Sequence, residues 1–324
     1  MRLLTEALLQ VNHLKKYFPI KKGILQKTVG HVKAVDDISF QVGTGETIGI
    51  VGESGCGKST TGRTLLRLIE PTSGEIVFKG KKITDLSPSE LKAYRKEMQI
   101  VFQDPYSSLN PRYKVGTILE RPMAIHRLYS KAERRKKVAE ILEKCGLDVS
   151  AAEKYPHEFS GGQRQRIGIA RALTLDPSLL VLDEPVSALD VSIQSQILNL
   201  LEDLQEQLNL TYLFISHDLS VVRHISDRIL VMYLGQMFEM GETMSLFDNP
   251  LHPYTQALLS SIPVPNPKEK RERILLKGDL PSPAKKPSGC VFHTRCPLAM
   301  EKCKSEKPEW KEVQDGHFVA CHLH

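Results

Sequence analysis

The sequence lacks the two features that would place it in or across a membrane. No apolar run reaches the length of a membrane span, and the first ten residues contain neither the hydrophobic stretch nor the cleavage site of a signal peptide. The composition, 41% hydrophobic and 25% charged, is instead that of a soluble globular protein. We therefore expect a cytosolic protein, or one that is held at a membrane only by a partner.

The sequence also lacks a strong charge imbalance and any internal repeat. Its 324 residues carry a formal net charge of +6, and the lysines and arginines are spread along the chain. Such residues are expected mainly on solvated faces; a basic surface facing anionic lipid is compatible with this pattern but is not required by it. We expect no nucleic-acid partner.

A glycine-rich stretch is the strongest signal that is present. Residues 52–60 fit the phosphate-loop pattern Gly-x-x-x-x-Gly-Lys-Ser/Thr, between an apolar strand over 46–51 and a helix over 60–69. In such a loop, backbone N–H groups and the helix start bind phosphate oxygens, Lys58 reaches the β- and γ-phosphates, and Ser59 ligates Mg²⁺. The candidate nucleotide-binding residues are Gly52, Glu53, Ser54, Gly55, Cys56, Gly57, Lys58, Ser59 and Thr60.

A second apolar strand, over 179–182, ends in two carboxylates. In a phosphate-loop protein the first, Asp183, holds Mg²⁺ directly or through water. The second, Glu184, can polarise the water that attacks the γ-phosphate. Strands often end in acidic residues, so it is the combination with the phosphate loop that predicts a nucleoside triphosphatase.

Strands and helices alternate around these motifs and predict an α/β fold with a mostly parallel sheet. An all-β opening, with a strand pair over 32–42, precedes the phosphate loop. Residues 104–158 are interpreted as a helical insertion that includes an irregular loop over 106–111. From about residue 250 the chain becomes proline-rich and basic, which predicts a partly extended appendage.

Four of the six cysteines, Cys290, Cys296, Cys303 and Cys321, fall in the last 35 residues. In a cytosolic chain such a cluster favours metal or iron–sulfur ligation over disulfides. Zinc accepts four thiolates, but structural zinc sites favour Cys-x₂₋₄-Cys pairs, which this cluster does not contain. Reduced free thiols are the remaining alternative. The nearby histidines are expected at the surface: His293, His317, His322 and His324.

A short motif connects these observations to a family. Residues 159–163, Phe-Ser-Gly-Gly-Gln, precede an arginine-rich helix and by themselves predict an N-cap with a glycine turn. About twenty residues before Asp183, however, they closely resemble the signature of ATP-binding cassette (ABC) ATPases, with Phe159 where leucine is commoner. The signature residues are Ser160, Gly161, Gly162 and Gln163.

Other positions resemble the motifs of the same family, in the expected order. Residues 52–59 match Walker A and 179–183 match Walker B, with Glu184 as the catalytic glutamate. Gln103 matches the Q-loop glutamine, Asp190 ends the D-loop, and His217 matches the switch histidine. Phe18 matches the aromatic residue that stacks on adenine, with Tyr17 as the alternative. The resemblance implies Glu184, His217 and Gln103 as catalytic residues, and Ser59, Gln103 and Asp183 as Mg²⁺ ligands.

The resemblance implies an ABC ATPase cassette over residues 1–250: a RecA-like, mostly parallel sheet core with an antiparallel β subdomain and the helical insertion. Residues 251–324 would form a small cysteine-containing appendage, the oligopeptide/dipeptide transporter C-terminal region. The stretches 103–111 and 250–259 look like those of dipeptide/oligopeptide permease ATPases, the former more like the F-type than the D-type subunit. Members of this family carry a [4Fe-4S] cluster at four cysteines in this region, so the resemblance favours that cluster over zinc.

The activity implied is ATP hydrolysis coupled to the uptake of di- or oligopeptides at the cytoplasmic face of the cell (inner) membrane. Two cassettes would pair head to tail, with ATP between the Walker A motif of one and the signature of the other. The implied partners are a sister ATPase subunit, two membrane permease subunits and an extracytoplasmic peptide-binding protein. The alternatives are an importer ATPase for nickel or another small solute, an exporter ATPase, and a soluble ABC ATPase acting on ribosomes or damaged DNA.

Overall fold

A computed structural model describes residues 7–24, 26–262 and 273–324. The strands are β1 (Ala7–Lys22), β2 (Lys27–Gly43), β3 (Thr47–Val51), β4 (Ser73–Phe78), β5 (Lys81–Lys82), β6 (Met98–Val101), β7 (Leu179–Asp183), β8 (Thr211–Ile215), β9 (Arg228–Tyr233), β10 (Gln236–Glu242), β11 (Lys311–Gln314) and β12 (His317–Val319). The helices are α1 (Lys58–Leu65), α2 (Pro88–Glu97), α3 (Pro105–Ser108), α4 (Val115–Ile125), α5 (Lys131–Lys144), α6 (Gly161–Leu173), α7 (Val191–Leu208), α8 (Leu219–Ile225), α9 (Thr243–Asp248), α10 (Pro253–Ser260) and α11 (Glu301–Ser305). Within these described ranges, no helix combines the length and apolar character that crossing a membrane requires.

The chain divides into two compact units. The P-loop unit comprises Ala7–Val42, Thr47–Thr84 and Ser216–His324, and the insertion unit comprises Gly43–Glu46 and Asp85–Ile215. Each unit has its own strands and its own share of the predicted site residues.

The P-loop unit contains two sheets. One has the strand order β2-β1-β4-β5, with β1–β4 and β4–β5 antiparallel, which confirms the predicted antiparallel β subdomain. The strand pair predicted over 32–42 is instead part of the single long strand β2. In the other sheet β3 buries all five residues, as its unbroken apolar sequence requires, and pairs parallel with β9.

The C-terminal residues extend the sheet that contains β3. Strands β9 and β10 form a hairpin through Leu234 and Gly235, whose φ angles of 44° and 80° suit a two-residue type I′ turn. Strand β12 pairs antiparallel with β10, and β11 pairs with β12. The separate cysteine-containing appendage is therefore not confirmed, because its last strands belong to a sheet of the P-loop unit. The division between residues 250 and 251 stays a prediction.

A buried carboxylate joins these C-terminal elements. Glu239 on β10 is fully buried and accepts hydrogen bonds from the backbone N–H groups of Leu251 and His252, at 2.7 and 2.9 Å. Its Oε1 lies 2.8 Å from Nε2 of His317 on β12. The expectation that His317 lies at the surface is wrong, because a buried carboxylate must be satisfied by partners such as this imidazole.

The insertion unit is built on three parallel strands. Strand β7 pairs with β6 on one side and with β8 on the other, and β7 and β8 bury every residue. Residues 104–158 contain α3, α4, α5 and two 3₁₀ turns, Val149–Glu153 and Pro156–Glu158, in agreement with a helical insertion. Helix α5 begins with a capping box between Ser130 and Glu133.

The stretch predicted as an irregular loop over 106–111 begins with the short helix α3. The Asp104 side chain accepts a hydrogen bond from the Tyr106 N–H at 2.8 Å, and Pro105 supplies the φ that a first helical position needs. Ser108 then accepts a hydrogen bond at its carbonyl from the guanidinium of Arg171 on α6. A local cap and a long-range contact therefore order the loop. The long-range contact could not be predicted from the sequence of the loop itself.

Candidate nucleotide-binding and hydrolysis site

The phosphate loop turns sharply between β3 and α1, and glycines make the turn possible. Gly52, Gly55 and Gly57 all have positive φ, at 148°, 78° and 108°. A Cβ at Gly52 would lie 2.1 Å from the carbonyl oxygen of Met232, and one at Gly57 would lie 2.1 Å from that of Ala34. At Gly52 and Gly57, glycine is therefore required both because a Cβ would clash and because φ is positive.

Substitution of these glycines by alanine should separate the two requirements. Gly57→Ala is expected to lower the free energy of unfolding by about 3 kcal/mol, because a backbone clash adds to an unfavourable φ. Gly55→Ala should cost only about 1 kcal/mol, since its Cβ would meet no atom within 4 Å. Urea unfolding of the two variants tests the difference, and equal losses would contradict the steric explanation.

Lys58 begins helix α1 and points back into the loop. Its side chain is buried, and its ammonium group donates to the carbonyl oxygens of Gly52 at 2.7 Å and Glu53 at 3.2 Å. The first turn of α1 presents its N–H groups at the same place, with Gly57 as N-cap. A positive group and helix amides converge here, as the binding of phosphate requires.

The predicted catalytic residues of the insertion unit come together at the carboxyl end of β7. Asp183 is the last residue of the strand and is buried, and Glu184 follows it with a φ of 49°. Gln103, which follows β6, donates a hydrogen bond from Nε2 to Oε2 of Glu184 at 2.9 Å. A glutamate in the left-handed region is an uncommon conformation that clusters at functional sites.

The residues of the predicted signature form the start of α6. Ser160 is its N-cap, and a reciprocal capping box joins Ser160 and Gln163, with N···O distances of 3.0 and 3.3 Å. A Cβ on Gly162 would lie 2.5 Å from Ile193 Cγ2, so a larger residue would disturb the contact with α7. The N-cap role is confirmed; binding of phosphate by these residues stays a prediction.

Two arginines of α6 connect the signature helix to the loop after Gln103, a link that the motifs do not reveal. Arg164 is buried, donates to the carbonyl oxygens of Pro156 and His157, and lies over the Tyr106 ring at 3.7 Å from its centroid. With the bond from Arg171 to Ser108, it makes the loop and the helix one packed element. The arginines of α6 are evident in the sequence, but the sequence does not identify the residues that they contact.

The remaining predicted residues lie at the ends of elements. Asp190, in the insertion unit, is the exposed N-cap position of α7. His217, in the P-loop unit, is exposed and follows Ser216, whose N–H donates to the Ile50 carbonyl of β3 at 3.2 Å. His217 is thereby connected to the strand that leads into the phosphate loop.

Phe18 and its alternative Tyr17 lie side by side on β1. The Tyr17 hydroxyl donates a hydrogen bond to Asp36, while the Lys16 ammonium lies 4.9 Å from the centroid of the half-buried Phe18 ring. Tyr17 therefore has a structural partner in Asp36. Phe18 stays the predicted adenine-stacking residue.

Asp36 is an acid-sensitive point of the P-loop unit. Burial by itself raises the pKa of Asp36, but hydrogen bonds from Tyr17, Lys286 and Gln236 outweigh it and hold the pKa at about 2. A carboxyl group whose pKa is lower in the folded than in the unfolded chain stabilises the fold above its unfolded pKa, and this contribution is lost as the pH falls to the folded pKa. Asp36→Asn should therefore lower the free energy of unfolding by about 1–2 kcal/mol at neutral pH, and the difference from wild type should shrink between about pH 4 and pH 2.

Chemical denaturation across this pH range measures the effect. The exposed Asp279, replaced by asparagine, gives the same change of charge at a solvent-facing position and is the matched control. A constant difference between Asp36→Asn and wild type down to pH 2 would contradict the role of the carboxylate.

In the P-loop unit, the Cys290 thiol is close enough to the other three C-terminal cysteines to interact with them electrostatically. Burial raises the pKa of Cys290 to about 11, and the thiols of Cys303, Cys321 and Cys296 contribute to the same rise. The Cys290 N–H donates to the Cys303 carbonyl at 2.8 Å. Over the part of the chain that the structure describes, however, no three cysteine, histidine or acidic side chains are arranged to hold a metal ion.

Comparisons with known proteins agree with these features. Residues 35–187 match the family model described as ABC transporter, and residues 238–303 match the oligopeptide/dipeptide transporter C-terminal region. The chain is 62% identical over 322 residues to the oligopeptide transport ATP-binding protein AppF of Bacillus subtilis (strain 168), covering 98% of each. It is 55% identical to the dipeptide transport ATP-binding protein DppF of Haemophilus influenzae, over 97% of this chain and 96% of that protein.

A solved structure supports the fold. The ATP-binding cassette MJ0796, a dimer in a post-hydrolysis state with ADP and Pi, superposes with a TM-score of 0.64 and 29% identity, over 72% of this chain and 98% of its own. The fold and the ordered motifs agree with these relatives, which are 55–62% identical to the chain over nearly its full length, and the chain therefore belongs to the oligopeptide/dipeptide transport branch of the ABC transporter ATP-binding proteins.

Proposed function

We propose that this protein is the ATP-hydrolysing subunit of an ABC importer and couples ATP binding and hydrolysis to the uptake of di- and oligopeptides. The observation that carries the proposal is the hydrogen bond between Gln103 and Glu184 at the end of β7. It supports a carboxylate oriented for chemistry, in a chain whose residues 238–303 match a region of peptide transporters.

The roles of the residues follow from their chemistry. Glu184 takes a proton from the attacking water as the water oxygen bonds to the γ-phosphorus, and the bond to the β–γ bridging oxygen breaks to leave ADP and phosphate. The amide of Gln103 fixes the orientation of that carboxylate, and His217 donates to the γ-phosphate. Mg²⁺ would neutralise phosphate charge when bound, and Ser59, Asp183 and Gln103 are the residues that we propose as its ligands.

In this proposal the nucleotide is bound by the phosphate loop of one cassette and by the signature of a second cassette. Lys58 and the N–H groups of residues 52–60 bind the phosphates, while Phe18 stacks on adenine. In the proposed head-to-tail dimer the signature and D-loop act on the ATP held by the partner cassette, through Ser160, Gly161, Gly162, Gln163 and Asp190. The dimeric state of MJ0796 supports this arrangement.

The proposed complex has the partners of a peptide importer. They are a sister ATPase subunit, of which this chain is the F-type, two membrane permease subunits and an extracytoplasmic peptide-binding protein. The chain would then work as a peripheral protein on the cytoplasmic face of the cell membrane. The functions of AppF and DppF, oligopeptide and dipeptide transport, support this assignment.

Uptake of labelled peptides tests the transport function. A strain that lacks this gene should fail to accumulate labelled di- and tetrapeptides, and the wild-type gene should restore uptake. Normal peptide uptake without the gene, together with loss of nickel or another small solute, would contradict peptide import and leave the ATPase assignment standing.

For the four cysteines we propose a [4Fe-4S] cluster. The support is the chemistry of the donor set, because such clusters are held by four thiolates, and the hydrogen bond from the Cys290 N–H to the Cys303 carbonyl, which brings two of the four cysteines together. The described side chains would have to rearrange to bind the cluster. Bound there, the cluster would connect segments that are distant in sequence.

Anaerobically purified protein should contain about four iron and four sulfide per chain. Stoichiometric zinc, or fully titratable thiols, would contradict the cluster.

A further inference from the structure

Glu53, the second residue of the phosphate loop, is held by two residues from the C-terminal region. Arg295 donates from Nη1 to Glu53 Oε2 at 2.7 Å and from Nη2 to Oε1 at 3.1 Å, which is a bidentate ion pair. The Tyr254 hydroxyl accepts a hydrogen bond from the Glu53 N–H at 2.9 Å. With the bond from Lys58 to its carbonyl oxygen, Glu53 has its amide, its carbonyl and its carboxylate all engaged.

The two C-terminal residues are themselves firmly placed. The Arg295 side chain is only 10% exposed, and its Nη1 also lies 3.4 Å from the Tyr233 hydroxyl. Tyr254 is fully buried and meets the rings of Tyr233 and Phe292 at centroid distances of 4.9 and 5.4 Å. The side chains that bind Glu53 are therefore packed in the interior of the unit, where they move less than exposed side chains do.

The ion pair with Arg295 neutralises a charge of Glu53 that would otherwise oppose nucleotide binding. A carboxylate within a loop that binds a polyanion repels the ligand. The guanidinium of Arg295, which is always charged in proteins, forms a bidentate ion pair with Glu53 and compensates the charge of its carboxylate. The same contact fixes the position of the loop backbone.

Arg295 also belongs to the cysteine segment. Its backbone N–H and that of Cys296 both donate to the Phe292 carbonyl, at 2.9 and 3.0 Å, so Arg295 and the cysteine beside it move as one turn. The segment begins at Cys290, whose N–H is bonded to Cys303. A rearrangement of residues 290–303 would be transmitted directly to Glu53.

We propose that Arg295 and Tyr254 are positioning residues for ATP binding, and that through Arg295 the nucleotide and the cysteine segment 290–303 are energetically coupled. Binding of ATP stabilises the segment, and by reciprocity an ordered segment raises the affinity for ATP. The inference rests on ATP binding by the phosphate loop, but not on the transported solute or on the group that the cysteines bind.

Affinity for Mg-ATP, measured by calorimetry on the full chain, tests the positioning role. Arg295→Ala should weaken binding about tenfold, within the usual range of such coupling. The double variant Glu53→Gln with Arg295→Ala should recover most of the loss, because the uncompensated charge is gone. Lys304→Ala removes an exposed ion pair with Glu301 in the same unit and should leave affinity unchanged.

Hydrogen exchange of residues 290–303 tests the coupling independently of activity. Mg-ATP should slow exchange there in the wild type and in Lys304→Ala, and this slowing should be absent in Arg295→Ala and reduced in Arg295→Lys, which keeps the charge but not the bidentate geometry. Unchanged affinity in Arg295→Ala, or the same ATP-dependent protection without Arg295, would overturn the proposal. A wild-type chain that binds no Mg-ATP would overturn the ATPase function itself, and this inference with it.

Discussion

Replacing Glu184 by glutamine should lower the rate of ATP hydrolysis by at least about a hundredfold, while Mg-ATP still binds. Loss of a general base costs about 10²- to 10⁴-fold, and glutamine keeps the shape of the side chain but cannot accept the proton. The nucleotide should then accumulate unhydrolysed in a closed dimer. Phosphate release under steady-state conditions and the amount of ATP retained by the protein measure the two effects.

Glu206→Gln is the matched control for this variant. Glu206 is exposed on α7, in the same unit, and the substitution is chemically identical. It should hydrolyse ATP at the wild-type rate. An ATPase rate of Glu184→Gln close to wild type would remove Glu184 from the role of base, whatever the effect on binding.

Replacing Lys58 by alanine should act on binding. Hydrogen bonds to charged groups are worth about 1.5–3 kcal/mol, so the affinity for Mg-ATP should fall roughly 10- to 150-fold. The loop should also lose the ammonium that holds the carbonyl oxygens of Gly52 and Glu53. Calorimetric titration with Mg-ATP measures the loss.

Lys81→Ala, at an exposed position on β5, removes the same charge from the P-loop unit and should leave affinity unchanged. Thermal unfolding of both variants shows whether the fold persists. A Lys58→Ala protein that folds and binds Mg-ATP as wild type does would contradict the placement of the phosphates at this loop.

The sequence predicted what is local. The turn of the phosphate loop depends on glycines within six residues, the two carboxylates follow one apolar strand, and the capping box of α6 lies between Ser160 and Gln163. Short-range geometry decides each of these features. The pattern of residue types was therefore sufficient.

The features that were missed depend on distant partners. Strand β12 has three residues and carries no periodicity of its own; its pairing with β10 places it in the sheet. Arg295 is an ordinary basic residue until folding places it beside Glu53, 242 positions earlier in the chain. Such contacts arise from the packing of the whole unit, which the composition of one segment does not encode.

The pairing of β12 with β10 has a consequence for shortened forms of the protein. In a chain that ends before His317, β10 would keep β9 on one side and expose an unpaired row of N–H and C=O groups on the other. Open strand edges of this kind recruit strands of other molecules, so truncation should cause self-association. In the full chain the outermost strand, β11, is exposed throughout and carries Lys311 and Glu312, and charged residues at such a position discourage further pairing. We therefore expect β11 and β12 to protect the protein from aggregation.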